Sequence, residues 1–288
     1  MGAIRDKRYF RLRRFWLRLM DAVLLNGAVA WWSYRLGLHG KLSIAEHTLE
    51  LANGKSLPAP LRIAFVSDLH AGPQTHAGLF AKMVDELIRL QPDVILLGGD
   101  YVSSRGSFVD VLIAQLGRLH PPLGIHAVLG NHDWWTDEQH IVASLQRAGV
   151  NVLINRNCAL PGPFSDVSIC GLDDPWTGNA DPARTFSGAG AVRILLTHSP
   201  DGLLLLQGQQ FDLAFAGHTH GGQVAFRSGA QILTAGGPLS RKYGRGKFQI
   251  DNSGTLIVSL GIGCSNLPVR INADSELVMC TVRSASIP

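Results

Sequence analysis

Cysteine is scarce in this chain: there are four in 288 residues, Cys158, Cys170, Cys264 and Cys280, with no C-x-x-C pair among them. That spacing supplies neither a disulfide framework nor a thiolate zinc site, and it reads as four small buried hydrophobes. Charge is also sparse. Charged residues make up 17% of the chain and hydrophobic ones 46%, which excludes a disordered polypeptide. A strong excess of one sign is missing as well. The net charge is +4, and Arg5, Lys7, Arg8, Arg11, Arg13, Arg14 and Arg18 account for it. Without those seven the body would be slightly acidic, so no nucleic-acid partner is expected. Repeats of fixed period and low-complexity tracts are absent too. The length suits one large or two small domains.

A clean apolar run of bilayer length is also lacking, but one stretch comes near it. Residues 15–34 are long enough to span as a helix, with Trp16 near one end and Trp31, Trp32 and Tyr34 at the other, yet Arg18, Asp21 and Asn26 interrupt them. The leading expectation is a single membrane anchor at a bacterial inner membrane. The basic end would then be cytoplasmic and the rest of the chain outside. An amphipathic helix lying on the membrane, a helix docked on the domain, and a cleaved signal are the alternatives. Residues 1–36 are therefore set apart, residues 37–60 are a connector containing a partly alternating run and the turn signal Asn53-Gly54, and residues 61–288 form the catalytic domain.

Within that domain, short apolar runs alternate with helical patterns. Strands are expected at 62–67, 93–97, 125–129 and 150–154, and helices near 77–90, 107–119 and 136–148. Thr136 with Gln139 three residues on reads as the capping box of the third helix. The second half is richer in strands, at 167–172, 192–197, 211–215, 223–226, 255–260 and 275–282, with a glycine-rich basic loop at 240–247. The pattern is that of an α/β fold, in which ligands sit at the carboxyl ends of the strands.

Those strand ends carry Asp68, His70, Asp100, Asn131, His132, His198, His218 and His220. Singly, each is an ordinary turn or structural residue. Together they form one set of hard oxygen donors and imidazoles. Such a set suits Mn²⁺, Fe or Zn²⁺ in five- or six-coordinate sites, and neither a cysteine-rich zinc site nor calcium. Eight positions are too many for one ion, and a carboxylate shared by two ions resolves the count.

The ordered motifs D-x-H (68–70), G-D (99–100), G-N-H-D (130–133), His198 and G-H-x-H (217–220) resemble those of the calcineurin-like metallophosphoesterases over residues 61–283. The resemblance implies a four-layer α/β/β/α sandwich with two divalent metal ions at the sheet ends, Mn²⁺ favoured and Fe or Zn²⁺ as alternatives. It implies that Asp68, His70, Asp100 and His220 hold one ion, that Asp100 bridges, and that Asn131, His198 and His218 complete the other. His132 would contact phosphate and protonate the leaving oxygen, oriented by Asp133 or a nearby carboxylate, while a metal-bridging hydroxide attacks. No covalent intermediate is implied.

The chain is more closely similar to a bacterial membrane-associated branch through Gly217-His-Thr-His-Gly-Gly-Gln223, Gly171-Leu-Asp-Asp174 and Lys242-Tyr243. That branch includes hydrolases of UDP-2,3-diacylglucosamine. The implied activity is hydrolysis of a phosphodiester or pyrophosphate on a lipid-linked substrate, with membrane contact through residues 1–36. The alternative is a tethered phosphatase or cyclic-nucleotide phosphodiesterase with a soluble substrate. An apolar groove running from the metals to the N-terminal helix favours the first, and a polar open cleft the second. Weaker candidates are Asp173 and Asp174 (read first as a turn), the basic trio Arg241, Lys242 and Arg245, and the pair Trp134 and Trp135.

Overall fold

In the computed structural model, residues 7–52, 54–228, 230–232, 235–251 and 253–284 are described. Arg5 of the basic cluster and Asn53 of the expected turn lie outside them. The chain opens with helices α1 (Lys7–Val23) and α2 (Ala28–Arg35). Then come β1 (Leu42–Glu50), β2 (Leu61–Val66), α3 (Gly78–Leu90), β3 (Val94–Leu97), α4 (Val109–Leu116), β4 (Ile125–Ala127), α5 (Asn131–Trp135), α6 (Glu138–Arg147) and β5 (Val150–Val152). The second half runs β6 (Arg156–Ala159), β7 (Val167–Gly171), α7 (Pro182–Phe186), β8 (Val192–Leu196), β9 (Leu213–Ala216), α8 (Pro238–Lys242), β10 (Gly246–Gln249), β11 (Thr255–Val258) and β12 (Ser275–Arg283).

These strands make two mixed six-stranded sheets, ordered β1-β12-β2-β3-β4-β5 and β10-β11-β9-β8-β7-β6. The two-residue period of a strand sends alternate side chains to opposite faces, and both faces here are apolar. Ile63, Phe65, Val94 and Leu96 of the first sheet meet Ile169, Ile194, Leu196 and Phe215 of the second in a core between the sheets. Ala64, Val66, Ile95 and Leu97 face the other way, against Phe80, Met83 and Leu87 of α3 and Leu112 of α4. Cys170, Leu195, Ala214 and Val258 cover the far side of the second sheet with Phe186 of α7. Three cores thus separate four layers.

The edge strands β6 and β10 carry little apolar pattern, because each is half exposed and is held by antiparallel ladder bonds to β7 and β11 rather than by burial. The basic loop expected at 240–247 is in fact α8 followed by the start of β10. Residues 42–50, within the expected connector, form β1, which pairs in parallel with β12. The cap of α6 also differs from expectation. Asp137 accepts from the His140 N–H at 3.2 Å, whereas Thr136 ends α5, its Oγ1 donating to the carbonyls of His132 and Asp133 at 3.0 and 3.1 Å.

The membrane-anchor expectation for residues 15–34, and with it the location at a bacterial inner membrane, is corrected. Among the described residues no helix is long and apolar enough to cross a membrane. The physical reason lies at residues 25–27. Leu25, Asn26 and Gly27 take φ of 50°, 49° and 105°, in the left-handed region, and break the stretch into α1 and α2. Asp21 is buried against the domain, where it accepts from Ser104 Oγ at 2.7 Å and Gln74 Nε2 at 3.4 Å and lies 3.5 Å from Arg105. Leu17, Leu24 and Ala30 are buried on the same side. The helix pair docks on the domain.

His39 completes that docking. The backbone N–H of His76 can only donate, so His39 Nε2 accepts from it at 3.2 Å, and Nδ1–H is left to meet Ser33 Oγ at 3.2 Å. Ser33 in turn donates to the Pro268 carbonyl. Only a neutral His39 satisfies this chain, and its pKa is lowered to about 4, first by burial and then by the charges of His76 and Arg270.

Candidate metal centre

Five loops converge at one end of the two sheets. Those after β2, β3 and β4 come from the first sheet, and those after β8 and β9 from the second. The ladder continues past the strands: Asp68 N–H donates to Gly99 O at 2.9 Å, His70 N–H to Asp100 O at 2.9 Å, and Gly217 N–H to His198 O at 2.8 Å. These bonds lock the loops in register and aim their side chains inwards.

The local backbone is unusual. Asp68, His70, Asp100, His218 and His220 have φ of 54°, 46°, 56°, 73° and 50°. Non-glycine residues avoid this region, and such strain persists only where surrounding structure imposes it, commonly at functional sites. Two glycines make room. A Cβ on Gly130 would lie 2.2 Å from Asp100 Oδ1, and one on Gly217 would lie 2.3 Å from Asp68 Oδ2.

Seven of the eight side chains form two sets that share one carboxylate. In the first, His70 Nε2 lies 3.0 Å from His220 Nε2, and His220 Nε2 lies 3.4 Å from Asp68 Oδ1. In the second, His198 Nε2 lies 3.1 Å from both Asn131 Oδ1 and His218 Nδ1. Asp100 Oδ2 stands between them, 3.5 Å from His70 Nε2 and 3.4 Å from His198 Nε2. Potential ligand atoms lie within 4.8 Å of one another in three groups: Asp68, His70 and His220; Asp100, His198 and His218; and His70, Asp100 and His132. None of His39, His47, His76, His120, His126 and His140 falls in such a group among the described residues.

Further contacts orient these groups. His198 Nδ1 donates to Gly98 O at 2.8 Å, which turns Nε2 towards the centre. Asp68 Oδ2 accepts from Ser67 Oγ at 2.6 Å and from His218 N–H at 3.0 Å. Burial pushes His70, His132, His218 and His220 below the ordinary histidine value, His218 to about 4, which leaves the lone pairs of His70, His218 and His220 free for a metal ion. Two groups go against their burial. Burial would raise Asp100, but the charges of His198, His132 and His70 hold it well below the carboxylate range. Burial would lower His198, yet the facing Asp100 raises it well above its usual value. Two carboxylates, an amide oxygen and four imidazoles converging in a buried site fit divalent first-row metal ions.

His132 sits in a different relation to the site. Its backbone N–H donates to Asp100 Oδ1 at 2.8 Å, and its Nδ1–H donates to Ser103 O at 2.8 Å. The expected orienting carboxylate is therefore a backbone carbonyl. Asp133 instead ties the loops together by accepting from the N–H groups of Asp100, Tyr101 and Gly130 at 2.8, 2.9 and 2.9 Å. Its oxygens bind the backbone, while the His132 ring bonds to Ser103 O. With Nδ1 engaged, Nε2 of His132 is the nitrogen available for proton transfer.

Sequence reasoning missed Arg270, which is 4% exposed and sits beside the first set, its Nη2 3.2 Å from His220 Nδ1. Its guanidinium also donates to the carbonyls of Leu260, Gly263 and Ala273. Nothing in the local sequence marks it, since it has no acidic neighbour in the chain. Asp173 and Asp174 form a turn. Asp174 Oδ2 accepts from Trp176 N–H, Thr177 N–H and Thr177 Oγ1 at 3.1, 2.6 and 2.7 Å, while Asp173 Oδ1 accepts from Trp134 Nε1 at 3.0 Å. Arg241 and Lys242 are exposed, and Arg245 reaches Asn272 O at 3.4 Å.

A cavity of about 570 Å³ opens from the centre. Asp100, Asn131, His132, His218 and His220 form its floor, and its walls include Trp135, Trp176, Val224 and Leu267. Tyr9 and Arg13 of α1 close one side, so the N-terminal helix is part of the site.

The family comparison agrees with this geometry. Residues 61–222 match the calcineurin-like phosphoesterase family, and the chain belongs to it. That is a class of metal-dependent phosphoester hydrolases. The chain is 35% identical over 182 residues to phosphodiesterase YaeI of Escherichia coli, a match covering 60% of this chain and 66% of that one. It is 26% identical to the metallophosphoesterase Cj0846 of Campylobacter jejuni, over 79% of this chain and 60% of that one. It is also 30% identical to the metallophosphoesterase YkuE of Bacillus subtilis, over 68% of this chain and 70% of that one. The match spans less than two thirds of the length of the first two.

Proposed function

We propose that this protein hydrolyses a phosphodiester or pyrophosphate bearing an apolar group, in a reaction that needs two divalent metal ions. Lipid-linked nucleotides such as UDP-2,3-diacylglucosamine belong to this substrate class. The observation that carries the reading is the continuous cavity joining His132 and the ligand cluster to apolar and aromatic walls on α1, α5 and the 265–267 loop. A cavity of this size takes a phosphate together with one drug-sized apolar group. Asp68, His70, Asp100 and His220 would hold one ion, and Asp100, Asn131, His198 and His218 the other. When bound, the ions supply Lewis acidity and lower the pKa of water. His132, held by Ser103 O through Nδ1–H, presents Nε2 to the cavity, where a proton taken up with the anionic substrate would pass to the leaving oxygen.

The test is a substrate panel on purified, Mn²⁺-loaded protein. It compares a UDP-linked lipid, a phospholipid diester, a cyclic nucleotide and an aryl phosphodiester. The lipid-bearing substrates are expected to show the higher kcat/KM. A preference for the cyclic nucleotide assigns a soluble substrate instead. His132→Ala should keep its metals and lose roughly 10²–10⁴-fold in kcat, with a smaller loss on substrates whose leaving group needs no proton. Loss of metals in that variant would make His132 a ligand.

A further inference from the structure

The cavity wall supplied by α1 holds an unusual cation. The guanidinium carbon of Arg13 lies 4.4 Å from the centre of the Trp135 ring, and that ring lies 4.8 Å from the ring of His132. Arg13 therefore stands one aromatic ring beyond the proposed proton donor. Its neighbour Arg14 fixes the arrangement by donating from Nε to the Trp135 carbonyl at 2.6 Å. Stacking on an aromatic face orients a guanidinium without using its hydrogen-bonding edge.

That edge is unmet. Arg13 Nε is buried and has no hydrogen-bond partner. Nor is any carboxylate paired with Arg13 among the described residues. Two more donors in the same walls share the condition: Trp135 Nε1 and Trp176 Nε1 are buried without a partner. Native proteins leave few such groups, because a dry unpaired donor has lost its bonds to water and gained none in return. Asp100 is the one carboxylate on the cavity lining, and it belongs to the ligand cluster. Arg13 thus lines the cavity with no carboxylate to balance it, and an anionic substrate group supplies that charge.

We infer that Arg13, stacked on Trp135, binds a second anionic phosphate of the substrate, the one next to the phosphorus under attack. The inference rests on the proposed phosphoesterase reading and narrows it to pyrophosphate-containing esters. The reacting phosphate lies over the ligand cluster and His132. The next phosphate lies under the guanidinium fork, which matches phosphate oxygens two at a time. The apolar group then follows the aromatic walls. On this reading α1 is held against the domain because it completes the substrate site.

The experiment uses the full chain loaded with Mn²⁺, as wild type, Arg13→Gln and Arg13→Lys. Glutamine keeps a stem to pack on Trp135 and removes the charge; lysine restores charge without the fork. Two substrates are compared: bis(4-nitrophenyl) phosphate, with one phosphate, and a nucleoside diphosphate aryl ester, with two. Arg13→Gln is expected to lower kcat/KM for the diphosphate ester about 10- to 100-fold, mainly through KM, and to lower that for the monophosphate diester by a much smaller factor. Arg13→Lys should fall between. An equal loss on both substrates would overturn the inference and make Arg13 a packing residue.

Calorimetric binding of methylenediphosphonate against methylphosphonate reads the subsite without turnover. Wild type should prefer the diphosphonate, and Arg13→Gln should lose that preference. An unchanged preference overturns the inference. Failure of the wild type to hydrolyse either ester would count against the phosphoesterase reading alone, since the binding comparison still decides the role of Arg13.

Discussion

The strand-end loops and the N-terminal helix pair both bury polar side chains, but they leave them in opposite conditions. On the helix pair nearly every buried group is matched. Asp21 is met by Ser104 and Gln74, Ser33 by the Pro268 carbonyl, and His39 by Ser33 on one side and His76 on the other. In the loops, like groups face each other instead. Histidine nitrogens meet at 3.0 and 3.1 Å, and one Asp100 oxygen lies between two imidazoles. Five of these residues also sit at positive φ. Matched polar burial is what docking needs. Strained side chains whose lone pairs converge on one point are what a bound cation needs. Arg13 is the exception that links the two regions: it belongs to the helix pair, yet its donor is unmet.

The largest expected effect tests the loops. Asp100→Ala removes the one oxygen placed between the two ligand sets. Elemental analysis should fall from about two metal ions per chain towards none, and activity should drop by about 10³-fold or more, as when a main electrostatic element of an active site is lost. Normal metal content in this variant would break the shared-carboxylate reading.

A smaller effect should follow from Asp21→Ala, which strands Ser104 and Gln74 without an acceptor. The cost should be about 1–3 kcal/mol. It should appear as faster amide exchange across residues 7–35, with metal content unchanged. If exchange there is unaltered, Asp21 does not hold the helix pair.

The smallest effect is one of pH. His39 in the folded chain resists protonation down to about 4, whereas the unfolded chain takes the proton near 6.5. Its contribution is therefore fully present above pH 6.5 and is lost as pH falls through about 4. At pH 5.5 the loss should be about 1 kcal/mol. His39→Gln should flatten the dependence of Tm on pH between 6.5 and 4.5. An unchanged slope would assign the acid sensitivity to other groups.

How much of this was legible depends on how local the signal is. The strands β2, β3, β8 and β9 are short apolar runs that end in the very residues that face one another, so each run announces both the element and its functional end. The edge strands β6 and β10 carry no such run, because ladder bonds to a neighbour hold them. The cap of α6 was displaced because α5 forms unannounced within the G-N-H-D motif and consumes Thr136 as its end. Asp133 could be counted from the chain, but not the fact that three backbone N–H groups would claim its oxygens.

What the sequence by itself determined is the alternation of elements and the order of the motifs D-x-H, G-D, G-N-H-D, His and G-H-x-H. Those follow from side-chain period and residue type, which belong to the chain. Only the tertiary structure decided what the N-terminal stretch does. A run with tryptophans at its ends and one aspartate inside reads the same whether it meets lipid or a protein surface. The left-handed break at Leu25, Asn26 and Gly27 and the partners waiting for Asp21 choose between them. Those partners lie far away in sequence, at residues 74 and 104, and only folding brings them there.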